Sequence, residues 1–339
     1  MTTPIIFERW PDLRRHIPWL PLGVRETPVV QIDDDFWVKR DDMLGGGYGG
    51  NKVRKLEFSL AEIIQRRKTR VITAGGVGSN HVTATSIYAQ RLALDVSAVL
   101  VPQPVQKNLR TNLLAMKAHE CDLHPVKSEV RGYLMALWLL LSRRRSALLW
   151  IGGSSVTGVL GAVNLALEIE EQVASGLVPE PENIVVPVGS TGTLAGLVAG
   201  KKLTRLRSNI VGVRAYSDKI ANEWMVRHLA NRALRRMRLP QRVTKDDVNL
   251  MHGYFGHGYA VYTHAAVEAM EHFAGHGMTL EGTYSGKAAA AALDMPGRTL
   301  FINTYNSQPM APLIEGADIE DLPPILREYF EKPVAEVEG

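Results

Sequence analysis

Lys52 closes a run of five glycines broken only by Tyr48 and Asn51, GGGYGGNK. It also opens a segment whose apolar residues, Leu56, Leu60, Ile63 and Ile64, recur at helical spacing. The lysine therefore stands where a flexible loop becomes a helix. Glycines at such a junction let a flat ligand approach the backbone closely. An amine withdrawn from water there has a lowered pKa and becomes nucleophilic, which is what condensation with an aldehyde requires. Taken alone, the pattern reads more simply as a solvated lysine at a loop–helix junction. The remaining motifs change that balance.

The segment Gly189-Ser190-Thr191-Gly192-Thr193-Leu194-Ala195-Gly196 follows an apolar run and leads into another helical pattern. Successive backbone N–H groups and hydroxyls at a helix N-terminus form an anion site suited to phosphate. No Gly-Lys-Ser/Thr accompanies it, so it is not a nucleoside-triphosphate loop. Gly75 to His81, GGVGSNH, superficially resembles a dinucleotide fingerprint. His81 occupies the place of the third glycine, and no clear acidic residue ends the next strand, which argues against a dehydrogenase. Asn80 there is an ordinary helix cap, or an amide for the phenolic oxygen of a cofactor ring. The histidines build no His-Glu-x-x-His pattern, and His252, His257 and His264 fall among glycines rather than on one helix face, so no metal is expected. There is no Gly-x-Ser-x-Gly elbow for a serine hydrolase.

These segments must be positioned by an alternating framework. Val29–Ile32 and Phe36–Arg40 read as a strand pair across an acidic turn, after an irregular first 30 residues. Strands are predicted at 71–75, 96–101, 123–126 and 147–153, with helices at 80–92, 109–118, 128–143 and 158–173 between and after them. A second cycle opens after Pro179-Glu180-Pro181, a junction by composition. It has strands at 183–190, 209–216, 248–251 and 299–304, and helices beginning at 191, 218, 263 and 285. Such alternation predicts an α/β protein with two doubly wound parallel-sheet domains. Ligands of these folds bind at the C-terminal ends of strands, where the glycine- and hydroxyl-rich segments fall.

The length of 339 residues suits two linked domains. Hydrophobic residues at 45% and charged residues at 22% are ordinary for a soluble globular chain. A net charge of +4 is too weak to argue for nucleic acid, and the basic runs Arg143–Arg145 and Arg235–Arg238 read as solvated helix ends. The single cysteine, Cys121, excludes an internal disulfide, fits a reducing cytosol and reads as a packing residue. The start of the chain lacks a signal-peptide core, and the longest apolar run, Tyr133–Leu141, is far short of a membrane span. The expectation is a soluble cytoplasmic protein without membrane or nucleic-acid partners.

Four motifs in order, Gly-Gly-Asn-Lys-x-Arg-Lys-Leu-Glu at 49–57, Gly-x-x-Ser-Asn at 76–80, Gly-Ser-Thr-x-x-x-Ala-Gly at 189–196 and Tyr-x-Gly-Lys at 284–287, resemble one known family. It is the fold type II pyridoxal-phosphate enzymes, like the tryptophan synthase β-subunit, in the branch of D-cysteine desulfhydrase and 1-aminocyclopropane-1-carboxylate (ACC) deaminase. The resemblance runs from about Leu20 to about Thr304. It implies pyridoxal 5'-phosphate on Lys52, which also moves protons at the substrate. It implies Asn80 at the ring hydroxyl, Ser79 facing the substrate, and Gly189, Ser190, Thr191, Gly192 and Thr193 around the phosphate. Tyr259 and Tyr284 match two tyrosines at the substrate, and Ser285 falls where the pyridine nitrogen is held.

The resemblance also implies a large cofactor-binding domain of residues 1–54 and 166–339, a small domain of 55–165, the active site in the cleft between them, and a homodimer. The implied reaction is a β-elimination or deamination of a small amino acid, as by D-cysteine desulfhydrase, giving a 2-oxo acid and ammonia. In ACC deaminases the position of Ser285 is a glutamate that keeps the pyridine nitrogen protonated. A hydroxyl cannot do so, which favours elimination over cyclopropane opening. ACC deaminase, and a specialised-metabolism enzyme such as a cysteine lyase on the same scaffold, stand as alternatives. A non-catalytic binding protein is a further one, which the intact Lys52 disfavours. His81 stands where glutamine is common. Asn303-Thr304-Tyr305-Asn306 replaces a His-Thr-Gly-Gly segment, and its bulk is expected to reshape the pocket.

Overall fold

The computed structural model describes residues 3–24, 26–335 and 337. Its ten strands are β1 (Val29–Asp33), β2 (Phe36–Lys39), β3 (Arg70–Gly76), β4 (Asp95–Val101), β5 (Asp122–Pro125), β6 (Ser146–Leu149), β7 (Asn183–Val188), β8 (Asn209–Arg214), β9 (Asn249–Met251) and β10 (Thr299–Ile302). They form two sheets, a six-stranded one in the order β1-β2-β10-β7-β8-β9 and a four-stranded one in the order β5-β4-β3-β6. Every pairing is parallel except the β1–β2 hairpin at one edge. The protein is therefore α/β with two parallel, doubly wound sheets, as the alternation predicted. The interior strand β7 is buried along its whole length and is correspondingly a near-continuous apolar run.

Three segments depart from the sequence expectation. The strand expected over 147–153 ends at Leu149, and Ile151–Gly153 turns instead as a 3-10 helix. Gly152 and Gly153 both take positive φ, which branched residues resist. A side chain on Gly152 would also strike Ser190 Oγ, 2.0 Å from where its Cβ would sit. The helix expected from 218 begins at Glu223, where Asn222 caps it by accepting a hydrogen bond from Met225 N–H at 2.9 Å. Within the first 30 residues, of which Met1, Thr2 and Arg25 lie outside the described set, Ile5–Arg9 is helical rather than irregular. Ile5, Ile6 and Phe7 are buried there, and Ile6 N–H donates to Asn164 Oδ1 at 3.0 Å.

Helix Val159–Ala174 lies before the Pro179–Pro181 junction, yet packs Leu160, Val163 and Leu167 into the same core as Leu194, Leu197 and Val198 of helix Gly192–Lys201. The Lys52 helix, Lys52–Gln65, joins both cores: Phe58 packs with the six-stranded sheet's helices, while Val53, Leu56 and Leu60 pack around the four-stranded sheet. Helix Pro324–Glu331 returns to the four-stranded side, burying Leu326 and Tyr329 with Val71 and Leu109, although its residue numbers fall in the segment expected with the large domain.

Candidate active site

A cavity of about 120 Å³ lies between the two sheets, lined from both. The segments following β3, β6, β7 and β10, at 76–80, 151–152, 189–193 and 304–306, all reach it. This is the strand-end location that doubly wound sheets offer to ligands.

Lys52, the first residue of its helix, lines this cavity and donates from Nζ to Asn51 Oδ1 at 2.9 Å. Asn51 Nδ2 in turn donates to Thr193 Oγ1 at 3.0 Å, tying the lysine to the loop after β7. Burial lowers the Lys52 amine to about 8, against the opposing pull of the Glu281 carboxylate. A free amine is thus accessible near neutral pH. The glycine run before it is braced from the far end of the chain. Gly49 N–H donates to Asn306 Oδ1, and a Cβ on Gly49 would lie 2.0 Å from Asp42 O. Asn306 thus secures the loop, a role that its bulk alone did not disclose.

The loop after β7 carries the marks of an anion cradle. Thr191 is left-handed at φ 64°, a costly conformation for a β-branched residue, and precedes helix Gly192–Lys201. Ser154, on the turn after β6, donates to Ser190 Oγ at 2.8 Å and accepts from Gly192 N–H at 3.2 Å. Lys55, one turn along from Lys52, is buried and donates to Gly152 O at 3.1 Å. Among the described residues it has no carboxylate partner, and burial, then the Lys52 charge, push its amine well below the ordinary lysine value. A buried cation without an anion, beside a helix N-terminus, fits a phosphate.

Ser79 caps helix Asn80–Arg91, and Asn80 follows at the cavity wall. Asn80 Oδ1 accepts from Asn112 Nδ2 at 2.8 Å, Tyr48 OH at 3.2 Å and Asn108 Nδ2 at 3.3 Å. With its oxygen so engaged, the amide NH2 is the end left to donate toward a ligand. His81 is buried, bonded through Nε2 to Thr73 Oγ1 at 3.0 Å, and held neutral by burial and then by the Lys52 and Lys55 charges. Tyr284 OH donates to Tyr259 OH at 3.1 Å, and Tyr216 meets the Tyr259 ring edge-on at 4.8 Å. Burial raises both phenols of the pair, so they stay protonated and serve as donors. Tyr305 also lines the cavity, as the bulk of its segment suggested.

Ser285 differs from expectation. It does not line the cavity; its Oγ accepts from Glu281 N–H at 2.8 Å and donates to Glu281 O at 3.2 Å. Glu281 lines the wall instead. Its carboxylate accepts from the backbone N–H groups of Thr283, Tyr284 and Ser285 at 2.8–3.0 Å, and burial raises its pKa despite them. Sequence reasoning missed Glu281, as well as Lys55, Ser154 and Tyr48. Only Lys55 left a usable signal, its i, i+3 spacing from Lys52. Among the described residues no group of three or more His, Cys, Asp or Glu is arranged to hold a metal ion, and no helix is long and apolar enough to cross a membrane. Cys121 is buried, its thiol pushed up to about 12 by burial, as a packing residue should be.

A lysine with an accessible free amine, tied through one asparagine to a phosphate cradle at the strand ends of two doubly wound sheets, defines a pyridoxal-phosphate site of the fold type II kind. Comparison with known proteins agrees. The chain belongs to the pyridoxal-phosphate dependent enzyme family, whose model matches residues 20–301. It is 32% identical over 270 residues to a D-cysteine desulfhydrase of Salmonella choleraesuis, covering 77% of this chain and 80% of that one. It is 31% identical over 290 residues to a bifunctional D-cysteine desulfhydrase/1-aminocyclopropane-1-carboxylate deaminase of Arabidopsis thaliana, described as mitochondrial, covering 81% and 70%. The crystal structure of an ACC deaminase homologue superposes with a TM-score of 0.77 at 26% identity, over 92% of this chain and all of that one.

Proposed function

We propose that this protein is a pyridoxal-phosphate lyase that eliminates the β-substituent of a small amino acid, releasing a 2-oxo acid, ammonia and the leaving group. The observation that carries the reading is Lys52: an amine brought to about 8 by burial, in one cavity with the 189–193 cradle and the Asn80 amide. Bound pyridoxal phosphate supplies the electron sink for the bond broken at Cα. The cradle and Lys55 bind its phosphate, and the Asn80 NH2 holds its phenolic oxygen. Lys52 would hold the cofactor's aldehyde and, as the neutral amine, would remove the α-proton. Ser79 borders the substrate. The protonated Tyr284–Tyr259 pair is placed to give a proton to a departing thiolate or hydroxide.

The large domain of 1–54 and 166–339, the small domain of 55–165, a homodimer and a cytoplasmic setting belong to the same proposal. The two sheets and the buried, unpaired Cys121 support it. A second reading, ACC deaminase, is favoured by Glu281, a buried carboxylate at the cavity wall in a site that Ser285 alone would leave without one. The test is 2-oxo acid release from D- and L-cysteine, serine, β-chloroalanine and ACC by the holoenzyme. Turnover of a β-substituted amino acid without ACC is expected. ACC as the preferred substrate would sink elimination and establish the second reading.

A further inference from the structure

One wall of the cavity is a series of aromatic rings. A Cβ on Gly189, in the cradle, would lie 2.7 Å from Tyr284 Cε1, so this ring stands against the strand end. Tyr284 meets Tyr259 edge-on at 5.9 Å between centroids, and Tyr259 meets Tyr216 edge-on at 4.8 Å. Burial, then Glu129 and Tyr133 of the helix Glu129–Ser142, raise the Tyr216 phenol, so the series crosses to the four-stranded side. There Tyr133 stacks on Trp150, centroids 6.1 Å apart and 28° between planes. Both rings line the cavity, with Leu148 and Ile220, yet Tyr133 is 49% and Trp150 41% exposed. The rings thus lead from the cradle out to solvent. The side chain of cysteine or serine ends at the atom bonded to Cβ. Such a substrate, its leaving atom at the Tyr284–Tyr259 pair, makes no use of Tyr133 and Trp150. Apolar side chains grouped at the mouth of a site, rather than scattered, point to a ligand.

We propose that this mouth holds the β-substituent of the substrate, and that the substrate is an S-aryl cysteine. The proposal rests on the elimination reading and names its leaving group. Ring faces and edges at the mouth suit another ring, which packs on them offset or edge-on. Glu129, which also lines the cavity, sets a negative charge against a substituent ending in a carboxylate or sulfonate. Sulfur is the linking atom because a thiolate, the weaker base, leaves more readily than an alkoxide. In the reaction the Cα–H and Cβ–S bonds break. Sulfur departs with the Cβ–S electron pair and takes a proton from the Tyr284–Tyr259 pair, giving the free thiol. The α-proton taken by Lys52 makes up for it. Water then hydrolyses the remaining enamine to a 2-oxo acid and ammonia, with no oxidant or reductant.

The experiment pairs turnover with binding on the cofactor-loaded protein. D- and L-S-phenylcysteine, cysteine and β-chloroalanine are compared by 2-oxo acid release. Binding of α-methyl-S-phenylcysteine and α-methylserine, which carry no α-proton to remove, is followed by calorimetry. The aryl compound should be favoured about tenfold or more, in kcat/KM over cysteine and in affinity over α-methylserine. Trp150→Ala and Tyr133→Ala each remove a half-exposed ring. Each should lower the ratio of S-phenylcysteine to β-chloroalanine kcat/KM by about tenfold, mainly through KM, and Trp150→Phe should restore most of the loss. A wild type without preference for the aryl compounds overturns the proposal while leaving elimination intact, as do Ala variants with an unchanged ratio. Preferential binding of the aryl analogue, without turnover of any β-substituted amino acid, would uphold the subsite and sink elimination.

Discussion

Arg54 and its neighbours Lys52 and Lys55 share one turn of helix and meet opposite electrostatic environments. Arg54 points away from the cavity into a closed network. It donates to Asp41 at 2.7 and 2.9 Å and to Glu168 at 2.7 Å, while Lys39 also pairs with Glu168 and donates to Thr27 O. Two cations face two anions, all buried, and although burial alone would raise Glu168, Arg54 and Lys39 hold it below its ordinary value. Lys52 and Lys55 face the cavity and, among the described residues, have no such paired carboxylates; burial lowers both amines, against Glu281 at Lys52 and together with the Lys52 charge at Lys55. The first arrangement fixes the helix and joins it to β2 and helix Val159–Ala174. The second stores unmet positive charge and a free amine for a ligand. Neighbouring lysine and arginine residues thus divide structure from chemistry according to which face of the helix they occupy.

Breaking the two sides should give opposite phenotypes. Lys52→Ala should lower activity by at least ~10⁴-fold, more than about 5 kcal/mol of barrier, while the apoprotein unfolds at an unchanged or higher denaturant midpoint because an uncompensated buried cation is gone. Borohydride should fix the cofactor covalently to the wild type and not to this variant; a trapped adduct mapped to Lys55 or Lys287 would refute the assignment. Glu168→Gln should do the reverse. It leaves Arg54 and Lys39 facing Asp41 alone and should cost about 3–5 kcal/mol of stability in urea titrations. A loss under 1 kcal/mol would show that the network is not what anchors the helix.

The sequence disclosed this division only in part. Strand–helix alternation was legible because β3, β4 and β7 are buried on both faces and so are written as apolar runs. The loop after β7 was legible as a strand-to-helix turn because its glycines and hydroxyls open a helix directly after an apolar run. Arg54 was read within the lysine motif, but its partners Asp41 and Glu168 lie 13 and 114 residues away in sequence, in elements without special composition. Glu281 was invisible for a related reason: a lone glutamate before a helix reads as a surface residue until tertiary packing buries it at the cavity wall. Ser285 was placed from motif order alone, and its hydroxyl is engaged instead by the backbone N–H and carbonyl of Glu281.

Within the cavity, effects should shrink as they move from backbone to side chain. Gly192→Val would press a branched side chain on Ser154 Oγ, 2.4 Å from the Cβ position, and on Lys55 Nζ at 3.1 Å, and should abolish cofactor retention. Ser190→Ala removes one side chain from a cradle built largely of N–H groups and should weaken cofactor affinity by only about 1–3 kcal/mol. Equal, small losses in equilibrium dialysis would argue that the phosphate lies elsewhere.

The smallest effect is one of pH on cofactor uptake by the apoprotein. Only the neutral amine attacks an aldehyde, so the rate should follow the free fraction of Lys52. With the amine at about 8, that fraction rises about fivefold between pH 7 and pH 8 and is nearly complete by about pH 9. A solvated lysine at its ordinary value would instead gain about tenfold per unit throughout that range. The Glu281 carboxylate opposes the depression, since a nearby anion favours the charged amine. Glu281→Gln should therefore move the plateau to lower pH, whereas a substitution in the Arg54 network should leave it in place. Stopped-flow measurement of uptake from pH 7 to pH 10 separates these outcomes. A rate still climbing nearly tenfold between pH 8 and pH 9 would mean that the reacting lysine is solvated and that burial does not prepare it.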